Sequence, residues 1–335
     1  MFRHWLIASL FFLVSLPSHA QSINGVGATF PAPLYAKWGE AVKTATGIEL
    51  NYQAIGSGGG QTQIFNRTVD FGASDAPVPA DKLAANRLLQ VPTVMGAVVV
   101  IVNIPGVQVN QLRLSGPVLA AIYAGTIKTW NNPEIQALNP DVTLSNLPIA
   151  PVYRADGSGT TFVWTSYLGK VSPWWLQNVG VNTSVKWPTG NGAKGNDGVA
   201  ATVKQVKGAI GYVESVYASA NKLITTQLEN ADKKFVMPTS ASFQSAAANA
   251  DWAHAQNFQV DLINQPGATS WPIVSATYLL LPTDAKEPAR AKLVLDWITW
   301  VYAHGNDVAT AMDYVPLPQA VQAQVLALKL TLLLT

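Results

Sequence analysis

The sequence predicts an α/β protein of two lobes that are joined by crossing strands. Short apolar runs that suit buried strands alternate with amphipathic segments that suit helices, which is the pattern of an α/β chain. A length of 335 residues is long for one domain and typical of two. Glycine-rich turns follow several of the strands, and strand ends are where open α/β sheets bind ligands. The pattern therefore indicates a ligand-binding protein.

Residues 1–20 are predicted to be a cleaved secretory signal. Arg3 is their only strong charge, residues 5–16 form an apolar core, and residues 18–20 fit a small-x-Ala cleavage site. The apolar core is too short to span a membrane. The sequence contains no cysteine, which excludes a lipoprotein anchor and disulfides. We therefore expect a soluble periplasmic protein.

The charge balance and the histidine count argue against two classes of protein. The 21 basic residues include Arg3, so removal of the signal leaves a chain that is nearly balanced against its 19 acidic residues. Such a chain lacks the basic excess of a nucleic-acid-binding protein. Only His254 and His304 lie beyond the signal, which is too few for a histidine metal cluster. We expect no nucleic acid, no metal, no cofactor and a monomer.

The first glycine junction follows a short extended segment. Its glycines precede a predicted helix, with Thr29 as the candidate cap and Pro31 at the helix entry. The N-terminus of a helix has unpaired N–H groups and a partial positive charge, so it attracts anions. Ala28, Thr29 and Phe30 would lie at the mouth of this site.

A second junction joins a predicted strand at 48–55 to a helix at 61–66 through the run GSGGG. Ser57 is the natural cap of that helix. No lysine follows the glycines, so the run is not a Walker loop, and it does not match a nucleophile elbow. The next predicted strand, at 69–73, leads to Asp75 at its end.

Two apolar strands are predicted to carry the chain between the lobes. A helix at 81–89 precedes a continuous apolar run at 96–103, and a second apolar run at 272–281 is the candidate for the return crossing. After the signal at 1–20, these crossings predict a discontinuous first lobe at 21–96 and 272–335. They predict a second lobe, including the hinge crossings, at 97–271.

The third junction, at 149–168, is the stretch around which the chain is organised. It has the pattern of a buried strand, a glycine turn and a helix at 160–168, for which Ser158 is a good N-cap. Arg154 and Asp156 lie two residues apart, so in an extended segment they point to the same side. Arg154 can then face an anion with part of its guanidinium while Asp156 holds the rest.

The remaining segments complete the two lobes. Asp197 is a candidate cap for a helix at 199–206, after a polar glycine loop at 190–198. The other predicted elements are strands at 182–187 and 209–214, helices that begin at 115–117 and 131–133, and helices at 240–250, 288–302 and 318–330.

The glycine junctions each offer a helix N-terminus together with hydroxyl groups. These hydroxyls belong to Thr29, Ser57, Ser158 and Thr160, and Arg154 adds a positive charge. If the junctions converge, their N–H and O–H donors form a pocket suited to a small dehydrated oxyanion.

The same segments resemble the periplasmic phosphate-binding proteins of the high-affinity phosphate ABC transporter, from about Asn24 to about Leu317. The motifs that carry the resemblance are GVGATFPAP, GSGGG, DFGASDAP, YRADGSGTTFVWTSYL, KGNDGVA and GAIGYVE. The resemblance implies a two-lobed periplasmic binding protein in which each lobe is a mixed β-sheet flanked by helices. It also implies a hinged protein without enzymatic activity that closes on inorganic phosphate and delivers it to an inner-membrane permease.

Carried over by motif, the implied phosphate-contacting residues are Ala28, Thr29, Phe30, Ser57, Asp75, Arg154, Ser158, Gly159 and Thr160. Asp156 is implied as the partner of Arg154. Gly58 stands where the family often has a second serine, and we expect a minor effect because Ser57 is kept. The tail after Gln322 ends LKLTLLLT, which is more apolar than the ending we expect for the family.

Other functions are left open by the residues alone. The nearest is a binding protein for another oxyanion, such as sulfate or arsenate. A secreted phosphatase or serine hydrolase would need an activated nucleophile or a metal, and the sequence offers hydroxyls without a base or ligand cluster. A surface adhesion or matrix-organising protein could reuse the same fold without the oxyanion contacts.

Overall fold

The computed structural model describes residues 21–334, with side chains through residue 328. The predicted signal at 1–20 lies outside the described residues, and so do the side chains of the apolar tail from 329 onward. Within 21–334, no helix is both long enough and apolar enough to cross a membrane.

Strands and helices alternate along the described chain, as predicted. The strands are β1 Gln21–Gly27, β2 Ile48–Ala54, β3 Phe71–Ser74, β4 Leu88–Val102, β5 Arg113–Leu114, β6 Ala150–Arg154, β7 Asn191–Ala193, β8 Ala209–Glu214, β9 Ile224–Thr225, β10 Gln227–Glu229, β11 Phe235–Val236 and β12 Val274–Pro282. The helices are α1 Ala32–Thr46, α2 Ser57–Phe65, α3 Ala80–Ala85, α4 Gly116–Tyr123, α5 Pro133–Leu138, α6 Gly159–Val171, α7 Pro173–Asn178, α8 Gly195–Gln205, α9 Ser215–Asn221, α10 Ser240–Ala247, α11 Pro288–His304, α12 Asn306–Ala311 and α13 Gln319–Leu334. Short 3₁₀ turns lie at Trp252–His254 and Gln256–Phe258.

The main sheet is mixed, which confirms the α/β class. Its strand order is β2-β1-β3-β12-β4-β8-β6-β7. The outer pairs, β1 with β2 and β3 and β6 with β7 and β8, are parallel. The central pairs that involve β12 and β4 are antiparallel. Strands β5, β10 and β11 form a separate small sheet.

Strand β4 runs through the middle of this sheet and is longer than predicted. Its 15 residues are nearly all buried, and residues 88–97 pair with β12 while residues 98–102 pair with β8. The predicted helix at 81–89 is therefore wrong at its end, because α3 stops at Ala85. Pro92 argued against a strand in the sequence, because a proline cannot donate to a regular pairing. In the structure, Pro92 lies beside a register shift in the pairing with β12, where a proline is tolerated.

The predicted strand at 182–187 is also wrong. This segment is irregular, and its backbone carbonyls accept hydrogen bonds from helix α6 and its N-cap instead of pairing in a sheet. The carbonyl of Thr183 accepts from Ser158 N at 2.8 Å, and the carbonyl of Asn182 accepts from the hydroxyl of Thr165 at 3.2 Å. The segment therefore supports the start and the middle of α6.

Buried aromatic side chains hold α6 against the sheet. The ring of Trp164 on α6 stacks on Tyr212 of β8, with ring centroids 4.9 Å apart. The hydroxyl of Tyr212 is 2.6 Å from Thr161 Oγ1 and accepts from Arg154 N at 3.2 Å. One buried tyrosine thus fixes the N-terminal turn of α6 relative to the end of β6.

Candidate functional site

The glycine junctions predicted from the sequence meet at one place in the structure. Gly56 N donates to the carbonyl of Gly27 at 2.8 Å, which joins the start of α2 to the end of β1. Gly58 N donates to the carbonyl of Gly157 at 2.8 Å, which joins α2 to the turn before α6. A Cβ at Gly58 would lie 3.1 Å from Gly157 Cα, so the missing side chain permits this close backbone approach.

Ser57 connects two of the junctions instead of capping its own helix. Its Oγ accepts from Gly159 N at 3.0 Å and from Asp75 N at 3.2 Å, and α2 has no side-chain cap. The predicted capping role is therefore wrong, because the hydroxyl is used across the chain. Gly159 is required here, since a Cβ would lie 2.4 Å from Ser57 Oγ and 2.5 Å from Asp75 Oδ2.

Thr29 also does not cap its helix. Pro31 occupies the N-cap of α1, and Thr29 Oγ1 instead accepts from Asn196 Nδ2 at 2.8 Å and from Asn196 N at 3.3 Å. On the other side of Asn196, Thr160 Oγ1 accepts from its Nδ2 at 3.2 Å and from Arg154 Nη1 at 3.4 Å. Asn196 therefore bridges the first junction and the third.

Ser158 caps α6 as predicted. Its Oγ accepts from Thr161 N at 3.0 Å, and its backbone is extended, as an N-cap requires. The predicted cap at Asp197 is wrong, because α8 begins at Gly195 and has Lys194 at its N-cap position.

Two threonine hydroxyls in this cluster still have a hydrogen to donate. A hydroxyl has two lone pairs and one hydrogen. Ser57 already gives its hydrogen to the Asp75 carboxyl group. In Thr29 and Thr160, both lone pairs face N–H groups, which can only donate. Each of these buried side chains can therefore offer a ligand a donor and not an acceptor.

Tyrosine hydroxyls hold the carbonyls of the loop between β1 and α1. Tyr52 donates to the carbonyl of Ala28 at 2.7 Å, Tyr217 to that of Thr29 at 2.6 Å, and Tyr314 to that of Phe30 at 2.7 Å. Among the described residues, no acceptor is bonded to the backbone N–H of Thr29 or of Phe30. Successive free N–H groups of this kind form an anion-binding concavity.

Arg154 and Asp156 form a nearly buried ion pair. Arg154 is 3% exposed, and its Nε and Nη2 both donate to the Asp156 carboxylate, while Nη1 faces Thr160. Burial raises the pKa of Asp156, but the hydrogen bonds and charge of Arg154, with the N–H of Gly195, outweigh it and hold the pKa below its usual value. The carboxylate is thus ionised and fixes one edge of the guanidinium, as the sequence predicted.

Asp75 places a buried carboxyl group among these donors. It is 1% exposed, and its Oδ1 accepts from Thr277 Oγ1 at 2.8 Å. Burial raises the pKa of Asp75 to about 7, against the hydrogen bond from Thr277, the charge of Arg154 and the hydrogen bond from Ser57. The group can therefore exist in either protonation state near neutral pH.

The structure brings all the predicted site residues into this one cluster and adds residues that the sequence reasoning missed. The added residues are Tyr52, Asn196, Tyr217, Thr277 and Tyr314. Asn196 stands in the motif KGNDGVA, so that motif contained a signal for it. The tyrosines carry no local signal, because each acts from a distant element.

Comparisons with known proteins show which family this chain resembles. Residues 15–304 match the family model described as the PBP superfamily domain. The phosphate-binding protein PstS of Pasteurella multocida is 50% identical over 326 residues, which cover 96% of this chain and 95% of that protein. The PstS protein of Haemophilus influenzae is 48% identical over 307 residues and covers 91% of this chain and 92% of its own length.

Solved structures of low sequence identity share the fold. The phosphate-bound structure of the high-affinity periplasmic phosphate-binding protein PfluDING has a TM-score of 0.72 at 22% identity, covering 91% of this chain and 93% of that one. A phosphate-binding protein of Stenotrophomonas maltophilia has a TM-score of 0.70 at 20% identity, and the match covers 92% of this chain and 94% of that one.

Proposed function

The chain belongs to the PBP superfamily and, within it, to the family of the PstS phosphate-binding proteins, and from this membership we propose that it binds inorganic phosphate with high affinity. It acts as a monomeric solute-binding protein of the periplasm, released from its signal at 1–20. It delivers phosphate to the permease of an inner-membrane ABC transporter. Its lobes are residues 21–96 with 272–335, and residues 97–271, and they close on the ligand about the crossing strands β4 and β12.

The observation that carries this proposal is the donor set at the meeting point of the junctions. Hydroxyls whose lone pairs are filled, free backbone N–H groups and the guanidinium of Arg154 suit the oxygens of a small anion. The carboxylate of Asp75 is an acceptor, which suits an anion that still carries a proton. The contacting residues are Ala28, Thr29, Phe30, Ser57, Asp75, Arg154, Ser158, Gly159 and Thr160.

The same geometry disfavours a phosphatase or serine hydrolase. A nucleophilic hydroxyl attacks through a free lone pair and gives its proton to a base. Both lone pairs of Ser57 Oγ are occupied by the N–H groups of Asp75 and Gly159. The same holds for Thr29 and Thr160, and Ser158 caps α6.

A calorimetric titration of residues 21–335 with phosphate tests the proposal. We expect binding of one phosphate with a dissociation constant of micromolar or lower, which is a free energy of about −8 kcal/mol or stronger. Parallel titrations with sulfate, arsenate and molybdate separate phosphate from other oxyanions. No heat and no thermal shift at millimolar phosphate would contradict the proposal.

A further inference from the structure

Asn196 lies between Thr29 and Thr160, which are two of the proposed phosphate-contacting residues. Asn196 itself is not among the proposed contacts. It stands in the first turn of α8 and is fully buried. Its Nδ2 is 2.8 Å from Thr29 Oγ1 and 3.2 Å from Thr160 Oγ1. The side chain thus connects the loop before α1 with the N-terminus of α6.

The orientation of the Asn196 amide follows from its other partner. Glu214 N lies 3.2 Å from Asn196 Oδ1, and a backbone N–H can only donate. The carbonyl end of the amide must therefore face Glu214, and the NH₂ end must face the threonines. Both hydrogens of the NH₂ group are then used, one for each threonine.

The orientation of the Asn196 amide determines whether the hydroxyls of Thr29 and Thr160 donate or accept hydrogen bonds. An amide NH₂ group has no acceptor to offer, so neither hydroxyl can donate to Asn196. Arg154 Nη1 faces the second lone pair of Thr160, and Asn196 N faces that of Thr29. These neighbours are donors as well, so each hydroxyl hydrogen is left for an acceptor outside this network.

We propose that Asn196 is a positioning residue that makes the hydroxyls of Thr29 and Thr160 obligate donors to the bound anion. The inference rests on the proposed phosphate binding and adds the residue that sets the direction of its hydroxyl donors. Asn196 also spans two elements, so it holds the β1–α1 loop and α6 at one separation. An acceptor in its place reverses the polarity of both hydroxyls.

The first test replaces Asn196 and measures the dissociation constant for phosphate by calorimetry. Asn196→Ala should weaken binding by about tenfold, because the hydroxyls can then rotate. Asn196→Asp has nearly the native size but accepts hydrogen bonds, so it should weaken binding by about 100-fold. Because the aspartate charge also repels the anion, the alanine variant is the one that measures positioning.

A double-mutant cycle of neutral variants tests whether Asn196 acts through Thr160. Thr160→Val removes one of the hydroxyls that Asn196 orients while preserving the shape of the side chain. In that background, Asn196→Ala should weaken phosphate binding by about threefold instead of tenfold, because part of its effect is already lost. Fully additive losses in the free energy of binding would overturn the proposal.

Asn139 supplies a matched control. It is also buried, at 2% exposure, but its Nδ2 donates to the backbone carbonyls of Arg113 and Ile135. Asn139→Ala should lower the melting temperature and leave the phosphate dissociation constant within about twofold. If the native chain fails to bind phosphate, the proposed function fails. If the native chain binds and Asn196→Ala matches it within twofold, this inference alone fails.

Discussion

Asp75 is a buried carboxyl group beside donors that suit an anion, so its role depends on its protonation state. An ionised carboxylate accepts a hydrogen bond from the P–OH of phosphate, whereas sulfate has no proton to give. A site that needs a ligand hydrogen rejects the analogue without it by roughly 10⁴-fold. We expect the native protein to ignore sulfate and Asp75→Asn to keep phosphate while binding sulfate measurably better. Competition titrations at pH 8.5 check this, and an unchanged phosphate-to-sulfate ratio would contradict it.

The pKa of Asp75 adds a pH dependence to that selectivity. Because burial raises this pKa to about 7, the carboxyl gains a proton as the pH falls through that value and becomes a donor. Sulfate remains a dianion over the same range, so a change in its affinity reports on the protein. We expect native sulfate binding to strengthen from pH 8.5 to pH 5.5 and that of Asp75→Asn to change little. Parallel pH profiles for the two proteins would contradict the assignment.

Arg154 contributes less than its charge suggests, because Asp156 already neutralises much of it. Two of its nitrogens face Asp156, and the proposed ligand meets neutral O–H and N–H donors as well. Arg154→Ala and the double variant Ser158→Ala/Thr160→Ala should therefore weaken phosphate binding by comparable factors. Calorimetric titration of the two variants with phosphate measures both losses. Complete loss in Arg154→Ala beside unchanged binding in the double variant would show that the charge dominates.

At the scale of elements, the loop between β1 and α1 depends on tyrosines from distant parts of the chain. Tyr314→Phe leaves the carbonyl of Phe30 without its donor, so the loop should loosen and phosphate binding should weaken by about tenfold. Tyr302→Phe is the control, because its buried hydroxyl donates to the carbonyl of Pro92, outside the site. Calorimetry and melting curves of both variants separate the effects. Equal binding losses in both would contradict the account.

The sequence predicted the elements whose signals are local. The strand, glycine turn and capped helix around Ser158 depend on neighbouring residues, and the structure confirms them. The roles of Ser57 and Thr29 could not be predicted, because their hydroxyls bond to residues that only the fold brings close. A serine before a helix looks like a cap from sequence alone. The start of β4 was missed for a similar reason, since the sheet accommodates Pro92 at an irregular pairing.

At the scale of the whole molecule, buried carboxyl groups make the stability of the fold depend on pH. Burial raises the pKa of Asp75 from 3.8 to about 7 and that of Glu214 from 4.5 to about 8. Between pH 4 and pH 8, the folded chain therefore keeps protons that the unfolded chain has lost. We expect stability to fall as pH rises through this window, by up to about 5 kcal/mol for each group.

Urea unfolding without phosphate measures this effect. The free energy of unfolding should be lower at pH 8.5 than at pH 5.5, and Asp75→Asn with Glu214→Gln should reduce the difference. Phosphate at about 100 times its dissociation constant should add roughly 2.7 kcal/mol at either pH. A native protein that is equally stable or more stable at pH 8.5 would contradict the assigned pKa directions.

A crystal structure of residues 21–335 with phosphate tests most directly whether the junction cluster is the phosphate site. We expect a phosphate ion within hydrogen-bond distance of the backbone N–H groups of Thr29 and Phe30, with Arg154 and Asp75 next to its oxygens. The main alternative is the cavity of about 160 Å³ beside Arg67 and Arg290, although those arginines already pair with aspartates. Phosphate bound there, or anywhere outside the junction cluster, would contradict the account.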